Sequence, residues 1–78
     1  MPVDDDVSMI IADILKICKD GCIKEKIKEE THLSYDQLRR ITAEMVDKGL
    51  LQYIEPQRVY ITTEKGYIFL DRTQQSNN

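Results

Sequence analysis

Apolar residues recur along the first part of the chain at the spacing of one helical face. They are Val7, Ile10, Ile11, Ile14 and Cys18. Steps of three and four residues predict an amphipathic helix, and Gly21 is a natural stop for it. The apolar arc is about 160° wide, which exceeds the roughly 100° that a single core requires. This width fits either a partner chain or a central helix packed by several elements of its own domain.

A second, short helix is predicted by the apolar positions Ile23 and Ile27, and the residues THLS then break the pattern as a tight turn. Ser34 offers its hydroxyl as the N-cap of a longer third helix, which runs to Lys48 and stops at Gly49. The inward face of this helix consists of Leu38, Ile41 and Met45, with Ser34 and Thr42 at its margins. Two helices joined by a tight turn form the outline of a helix-turn-helix.

The periodicity changes beyond Gly49. The runs LLQYIE and RVYITT are rich in strand-forming residues and flank a turn that begins at Pro56, which predicts a β-hairpin. Thr63 can cap a last short helix, EKGYIFLDR, although Gly66 weakens its helical pattern. The side chains of this helix that can return to the core are Tyr67, Ile68, Phe69 and Leu70.

The predicted fold is therefore α+β and mostly α: three helices, a β-hairpin wing and a short C-terminal helix, the arrangement of a winged helix-turn-helix. We expect one domain over residues 1–78, with an ordered core at about 5–72 and a polar tail at 73–78. A domain of 78 residues buries only a modest core, and a domain this small is often marginally stable unless a partner chain adds to it. A homodimer is therefore expected.

Several runs in this order resemble a known family: ILKICKDG, THLSYDQLRR, MVDKGLL and VYITTEKGYIFL. Together they are similar to the small archaeal winged-helix proteins of the Sulfolobus ten-kilodalton chromatin-associated class and to related archaeal, viral and plasmid regulators. The resemblance implies double-stranded DNA binding, with the third helix in the major groove and the hairpin as a wing. Members of that class pair through a long C-terminal helix, whereas only six polar residues follow Arg72 here. A dimer is therefore expected to use the first or the last helix.

The outward side of the third helix supplies the candidate base contacts. Gln37 is suited to adenine, Arg39 or Arg40 to guanine, and Tyr35 to a phosphate or a thymine methyl group. Three further cations are candidates for fixing the helix on the DNA, namely Lys24 and Lys26 on the second helix and Arg58 on the wing. The alternative is an ordinary solvated surface. In that case, Asp36 and Arg40, four residues apart, are spaced for an ion pair.

The charge of the chain opposes a nucleic-acid partner when taken alone, because the formal net charge is -3. The acidity is concentrated at the start: residues 1–21 carry five acidic and two basic side chains, and residues 22–78 carry nine of each. The principal hypothesis is a transcriptional regulator or chromatin-type protein that binds double-stranded DNA. The alternative is a winged-helix protein-interaction module without DNA binding, which an acidic surface suits.

Other classes of function find little support in the sequence. No apolar run reaches the roughly 18 residues of a membrane span, and no signal peptide is evident, so a cytoplasmic protein is expected. Cys18, Cys22 and His32 lack a fourth zinc ligand. Cys18 is expected to be a buried free thiol, and a bridge to Cys22 requires the first helix to end between the two. No acid, base and nucleophile form a catalytic set, so we expect no enzyme, cofactor, metal or small-molecule ligand.

Overall fold

The structure, a computed structural model, describes the backbone of residues 3–75 and the side chains of residues 8–72. Its elements follow the predicted order. They are α1 (Val3–Ile17), α2 (Lys24–Thr31), α3 (Tyr35–Asp47), β1 (Leu51–Ile54), β2 (Val59–Thr62) and α4 (Glu64–Gln75). Four helices and a two-stranded antiparallel hairpin give a mostly helical α+β fold, which confirms the predicted winged helix-turn-helix.

Helix α1 lies at the centre of the fold and packs against α2, α4 and β2. Its buried side chains are Ala12, Ile14 and Leu15, and Cys18 is buried just beyond its end. Three neighbouring elements on one helix account for the wide apolar arc. Of the two interpretations that the sequence left open, packing within the domain therefore explains the width.

Helix α2 is shorter than its apolar pattern indicated. Ile23 is the residue before its first turn and is 45% exposed, so the prediction that it lies on the apolar side of this helix is wrong. Ile27 is fully buried and provides the main apolar anchor of α2. The helix ends at Thr31, and the left-handed backbone of its C-cap residue His32 (φ 62°) turns the chain toward α3.

Helix α3 begins at the predicted cap. The Ser34 hydroxyl accepts a hydrogen bond from the Gln37 N–H at 3.2 Å, and the Gln37 side-chain oxygen accepts one from the Ser34 N–H at 3.1 Å. This reciprocal pair is a capping box. It satisfies two of the N–H groups that a helix start otherwise leaves without partners.

The inward face of α3 is rotated slightly from the predicted one. Leu38 and Met45 are buried as expected, whereas Thr42 is buried and Ile41 only half-buried. Thr42 tolerates burial because its hydroxyl donates a 2.8 Å hydrogen bond to the Leu38 carbonyl. Gly49 ends the helix with a left-handed backbone (φ 81°), as its position predicted.

The hairpin is fastened to α1 and to the segment that follows it. Strands β1 and β2 pair in the register Leu51↔Thr62 to Ile54↔Val59. At the base of the hairpin, the Thr62 hydroxyl donates to the Leu15 carbonyl at 2.7 Å. Cys22 and Tyr60 exchange two backbone hydrogen bonds, of 2.9 and 2.8 Å.

Helix α4 is capped by Thr63, whose hydroxyl accepts from the Gly66 N–H at 3.1 Å, as predicted. A β-carbon on Gly66 would lie 2.5 Å from the Leu50 carbonyl oxygen and 2.7 Å from the Thr62 methyl group. Glycine is therefore required at this close approach, although the pattern alone counted it against a helix. The helix continues to Gln75, three residues into the segment expected to be a polar tail.

Only part of the apolar run in α4 reaches the core. Leu70 is buried and Phe69 half-buried, but Tyr67 and Ile68 are 42% and 50% exposed. The expectation that all four return to the core is wrong. Successive helical residues are about 100° apart, so four consecutive side chains cannot share one inward face.

Candidate nucleic-acid interface

The first turn of α3 lies on the surface. Ser34, Tyr35, Asp36 and Gln37 are all exposed, and so are Arg39 and Arg40 in the next turn. The core-facing Leu38 holds this turn against the domain from below. The accessible N-terminal half of α3 is the part that a helix-turn-helix presents to base edges.

A cleft of about 640 Å³ lies beside this turn, between α3, the start of α2 and the hairpin. Its polar and aromatic lining includes Lys24, Glu25, Tyr35, Arg39 and Tyr60. A second cleft of about 540 Å³ also contains Lys24, Glu25 and Tyr60 and extends along the hairpin to Arg58. Because the two share these residues, we treat them as one feature, the wing cleft.

The wing cleft divides the seven predicted contact residues into two groups. Lys24, Tyr35, Arg39 and Arg58 line it. The other three residues, Gln37 and Arg40 on α3 and Lys26 on α2, are exposed but line neither part of the cleft. On α3 the division follows from helical geometry, because each residue is turned by about 100° from the last.

Two of the predicted cations carry local ion pairs. The Arg39 guanidinium lies 3.3 Å from the Asp36 carboxylate. The spacing of the residues suggested a pair between Asp36 and Arg40, but Asp36 pairs with Arg39 instead. Lys26 lies 3.3 Å from Glu30. Both pairs are exposed, and surface pairs of this kind contribute little to stability. A phosphate can therefore replace either carboxylate at small cost.

Within the side chains described, no ion pair involves Lys24, Arg40 or Arg58. Arg58 lies near the hairpin tip and has a left-handed backbone (φ 60°). Two carboxylates, Glu25 and Glu55, line the wing cleft together with Lys24 and Arg58. The cleft is thus mixed in charge rather than uniformly basic.

Gln37 has a structural role that the sequence analysis missed. Its side-chain oxygen is engaged in the capping box with Ser34. A two-bond contact to adenine uses both the oxygen and the nitrogen of a glutamine amide, so Gln37 must leave the capping box to make one. The signal was present, because Ser-x-x-Gln at residues 34–37 is the sequence signature of this box.

Three more residues near the cleft make aromatic contacts that the sequence did not predict. The Lys28 ammonium lies 4.9 Å from the centre of the Tyr35 ring, a cation–π contact that holds this half-exposed ring. Tyr53 and Tyr60 face each other across the hairpin, with ring centres 4.8 Å apart. The hairpin register places these two tyrosines opposite one another, but their position in the cleft depends on how the hairpin docks.

The two cysteines are free thiols whose sulfur atoms lie 3.1 Å apart. Burial raises the pKa of the Cys18 thiol far above its usual range, and the hydrogen bond with Cys22 raises it further. Burial also raises the pKa of Cys22, with partial opposition from the Cys18 hydrogen bond and from Lys26. Within the part of the chain that the structure describes, no cluster of three or more His, Cys, Asp or Glu residues is arranged to hold a metal.

Comparison with known proteins adds one positive finding. The family profile described as winged helix-turn-helix matches residues 6–78. No curated protein gives a significant match to the chain. Among the described residues, none of the helices has the length and apolar character needed to cross a membrane.

Proposed function

This chain belongs to the winged helix-turn-helix family, and on that premise we propose that it binds double-stranded DNA as a transcriptional regulator or chromatin-type protein. Winged helix-turn-helix domains are typically non-enzymatic DNA-binding domains, so the family suggests nucleic-acid binding in general. In our proposal the exposed first half of α3 enters the major groove and the hairpin lies against the adjacent backbone.

The observation that carries this proposal is the exposed start of α3 beside the wing cleft. A duplex that receives this turn meets Arg40 on one side of α3 and Arg39 and Tyr35 on the other. Lys24 lies where the two parts of the cleft meet and Arg58 lies on its hairpin side, and their charges, unpaired among the described side chains, suit phosphate contacts. Gln37 and Lys26 complete the proposed contact set. They are the weaker members, because each lies outside the wing cleft and already has a partner within the chain.

A titration of a labelled random duplex at two salt concentrations tests the proposal. We expect the affinity to fall steeply as salt rises, because each neutralised phosphate releases counterions. Arg40→Ala and Arg39→Ala should each weaken binding, whereas the matched Arg72→Ala, on α4 and away from the cleft, should not. Absence of binding at low salt would overturn the proposal.

A docking module for another protein is the second candidate function. Exposed apolar side chains border the wing cleft, namely Ile23 at 45% and Tyr53 at 38% exposure. The carboxylates Glu25 and Glu55 lie in the same cleft, and the net charge of -3 disfavours DNA. Under this proposal the duplex titration shows no binding, and Ile23→Lys abolishes capture of the protein partner.

We also propose that the protein is a homodimer that pairs through α1 or α4. Met9 on α1 and Ile68 on α4 are 63% and 50% exposed, so each helix has an apolar side chain available for a second chain. Light scattering on the intact protein should give twice the monomer mass. Met9→Lys or Ile68→Lys should reduce it to that of the monomer. An archaeal class and a cytoplasmic location belong to the proposal as well, and rest on the sequence alone.

A further inference from the structure

The cysteine pair lies at the junction of α1 and α2, outside the proposed DNA contacts. Helix α1 ends at Ile17, and Gly21 reverses the chain with a left-handed backbone (φ 89°). This turn places the Cys22 sulfur 3.1 Å from the Cys18 sulfur. The helix ends one residue before Cys18, slightly earlier than the position between the cysteines that the sequence suggested, and the turn that follows brings the two side chains together.

Backbone contacts hold both cysteines in place. The Cys18 N–H donates to the Ile14 carbonyl at 2.9 Å, and its carbonyl accepts from the Thr62 N–H at 3.0 Å. Cys22 is held by its two hydrogen bonds with Tyr60. A disulfide bond is about 2.05 Å long, so the sulfurs need to approach by only about 1 Å. Small side-chain rotations are enough, and the backbone pairing stays intact.

The two sulfurs differ in access to solvent. Cys18 is fully buried, whereas Cys22 is only half-buried. An oxidant in solution therefore reaches the Cys22 sulfur first, and Cys18 lies directly behind it. In reactive cysteine pairs, the accessible thiol attacks the oxidant and a neighbouring thiol then resolves the oxidised sulfur. Cys22 and Cys18 are placed in this way.

We propose that Cys18 and Cys22 form an oxidation site that a peroxide converts into an intrachain disulfide, with Cys22 reacting first and Cys18 resolving. In the first step the Cys22 thiolate attacks one peroxide oxygen. A sulfur–oxygen bond forms, the oxygen–oxygen bond breaks, and the other oxygen leaves as hydroxide, which takes up a proton as water. Cys22 is thereby oxidised to a sulfenic acid.

In the second step the Cys18 sulfur attacks the Cys22 sulfur. The sulfur–sulfur bond forms, the sulfur–oxygen bond breaks, and the hydroxyl group leaves as water with the Cys18 proton. The sum is two thiols and one hydrogen peroxide giving one disulfide and two waters. Because burial raises the pKa of Cys22, little thiolate is present near neutral pH, and the reaction should accelerate as the pH rises.

Hydrogen peroxide treatment of the full-length protein, followed by intact-mass analysis and tryptic mapping, tests this inference. We expect both thiols to disappear together, the mass to fall by two hydrogen atoms, and the chain to stay uncrosslinked to a second copy. Cleavage after Lys16, Lys19 and Lys24 should release residues 17–19 joined to residues 20–24. A thiol reductant should reverse the change.

Two matched variants test the assigned order. In Cys18→Ala the remaining Cys22 should form a trappable sulfenic acid, and in Cys22→Ala the remaining Cys18 should react at least about tenfold more slowly. Guanidinium should abolish that difference, because unfolding exposes Cys18. Equal rates in the folded variants would overturn the inference. So would oxygen addition without a link, a disulfide between two chains, or no reaction at alkaline pH. None of these outcomes depends on DNA binding.

Discussion

Helices α3 and α4 begin with the same local arrangement, in which a hydroxyl accepts a hydrogen bond from an N–H three residues later. Ser34 accepts from Gln37 at 3.2 Å, and Thr63 accepts from Gly66 at 3.1 Å. The surroundings differ. The start of α3 is exposed to solvent, whereas at the start of α4 Gly66 is buried against Leu50.

This difference shows how one capping chemistry serves two purposes. At α3 the partner of the cap is a long polar side chain, Gln37, which closes the capping box and leaves the turn in solvent. At α4 the corresponding residue has no side chain, so the helix approaches the hairpin base closely. The Thr63 hydroxyl also donates to the carbonyls of Gly49 and Leu50. The start of α3 is thus exposed to solvent, whereas the start of α4 is packed against the base of the hairpin.

The largest expected effect is at the packed start. Gly66→Ala should destabilise the protein by about 3 kcal/mol, because the new β-carbon overlaps the Leu50 carbonyl oxygen and the Thr62 methyl group. Gly49→Ala is the matched control. Its β-carbon meets only ordinary contacts, and the cost of about 1–2 kcal/mol arises from the left-handed backbone. Denaturant unfolding should separate the two, and equal losses would mean that α4 packs less closely than described.

A second pair of variants compares buried hydroxyls in the two regions. Thr62→Val should cost about 2 kcal/mol, because the Leu15 carbonyl in the last turn of α1 loses its donor. Thr42→Val should cost less than about 1 kcal/mol, since the Leu38 carbonyl lies inside α3 and keeps a backbone donor. Chemical unfolding at a fixed temperature measures both. A larger loss for Thr42→Val would contradict the assigned partners.

The exposed cap should contribute a smaller amount. Ser34→Ala removes the hydroxyl that accepts from the Gln37 N–H and should cost about 1 kcal/mol. Ser34→Asp retains an acceptor at the same position and should unfold close to the wild-type midpoint. Thermal unfolding monitored by circular dichroism measures the stability of both variants. If Ser34→Ala has no effect, the capping box does not contribute to the stability of α3.

The smallest effect on stability is expected at the Asp36–Arg39 ion pair at the exposed start of α3. Asp36→Asn should change the free energy of unfolding by less than about 0.5 kcal/mol, because the pair with Arg39 is exposed. In the duplex titration the same variant should tighten binding by freeing Arg39 and removing a negative charge. Glu44→Gln is the control, since it removes the same charge and frees Lys48, which lies outside the proposed contact set. Equal gains from both variants would point to net charge alone.

The sequence predicted those features that depend on a few neighbouring residues. The caps at Ser34 and Thr63 and the stop at Gly49 all follow from local rules, and the structure confirms them. The order of elements follows from changes in apolar spacing along the chain, so the fold class was accessible too.

The features that were missed depend on how the elements dock. The requirement for glycine at position 66 arises from Leu50 and Thr62, which no local pattern relates to α4. The exposure of Ile23 depends on where α2 begins, and the burial of Thr42 depends on a small rotation of α3 against the core. The division of the predicted contact residues between the wing cleft and the outer side of α3 likewise requires the position of the hairpin.

The paired backbone hydrogen bonds between Cys22 and Tyr60 have a mechanical consequence. They join the middle of β2 to the segment that leads directly into α2, so that the hairpin cannot swing as an independent arm. If a bound surface tilts the hairpin, the tilt is transmitted to Lys24 at the first position of α2. The hairpin and the start of α2, which line the wing cleft together, should therefore move as one unit when a partner binds.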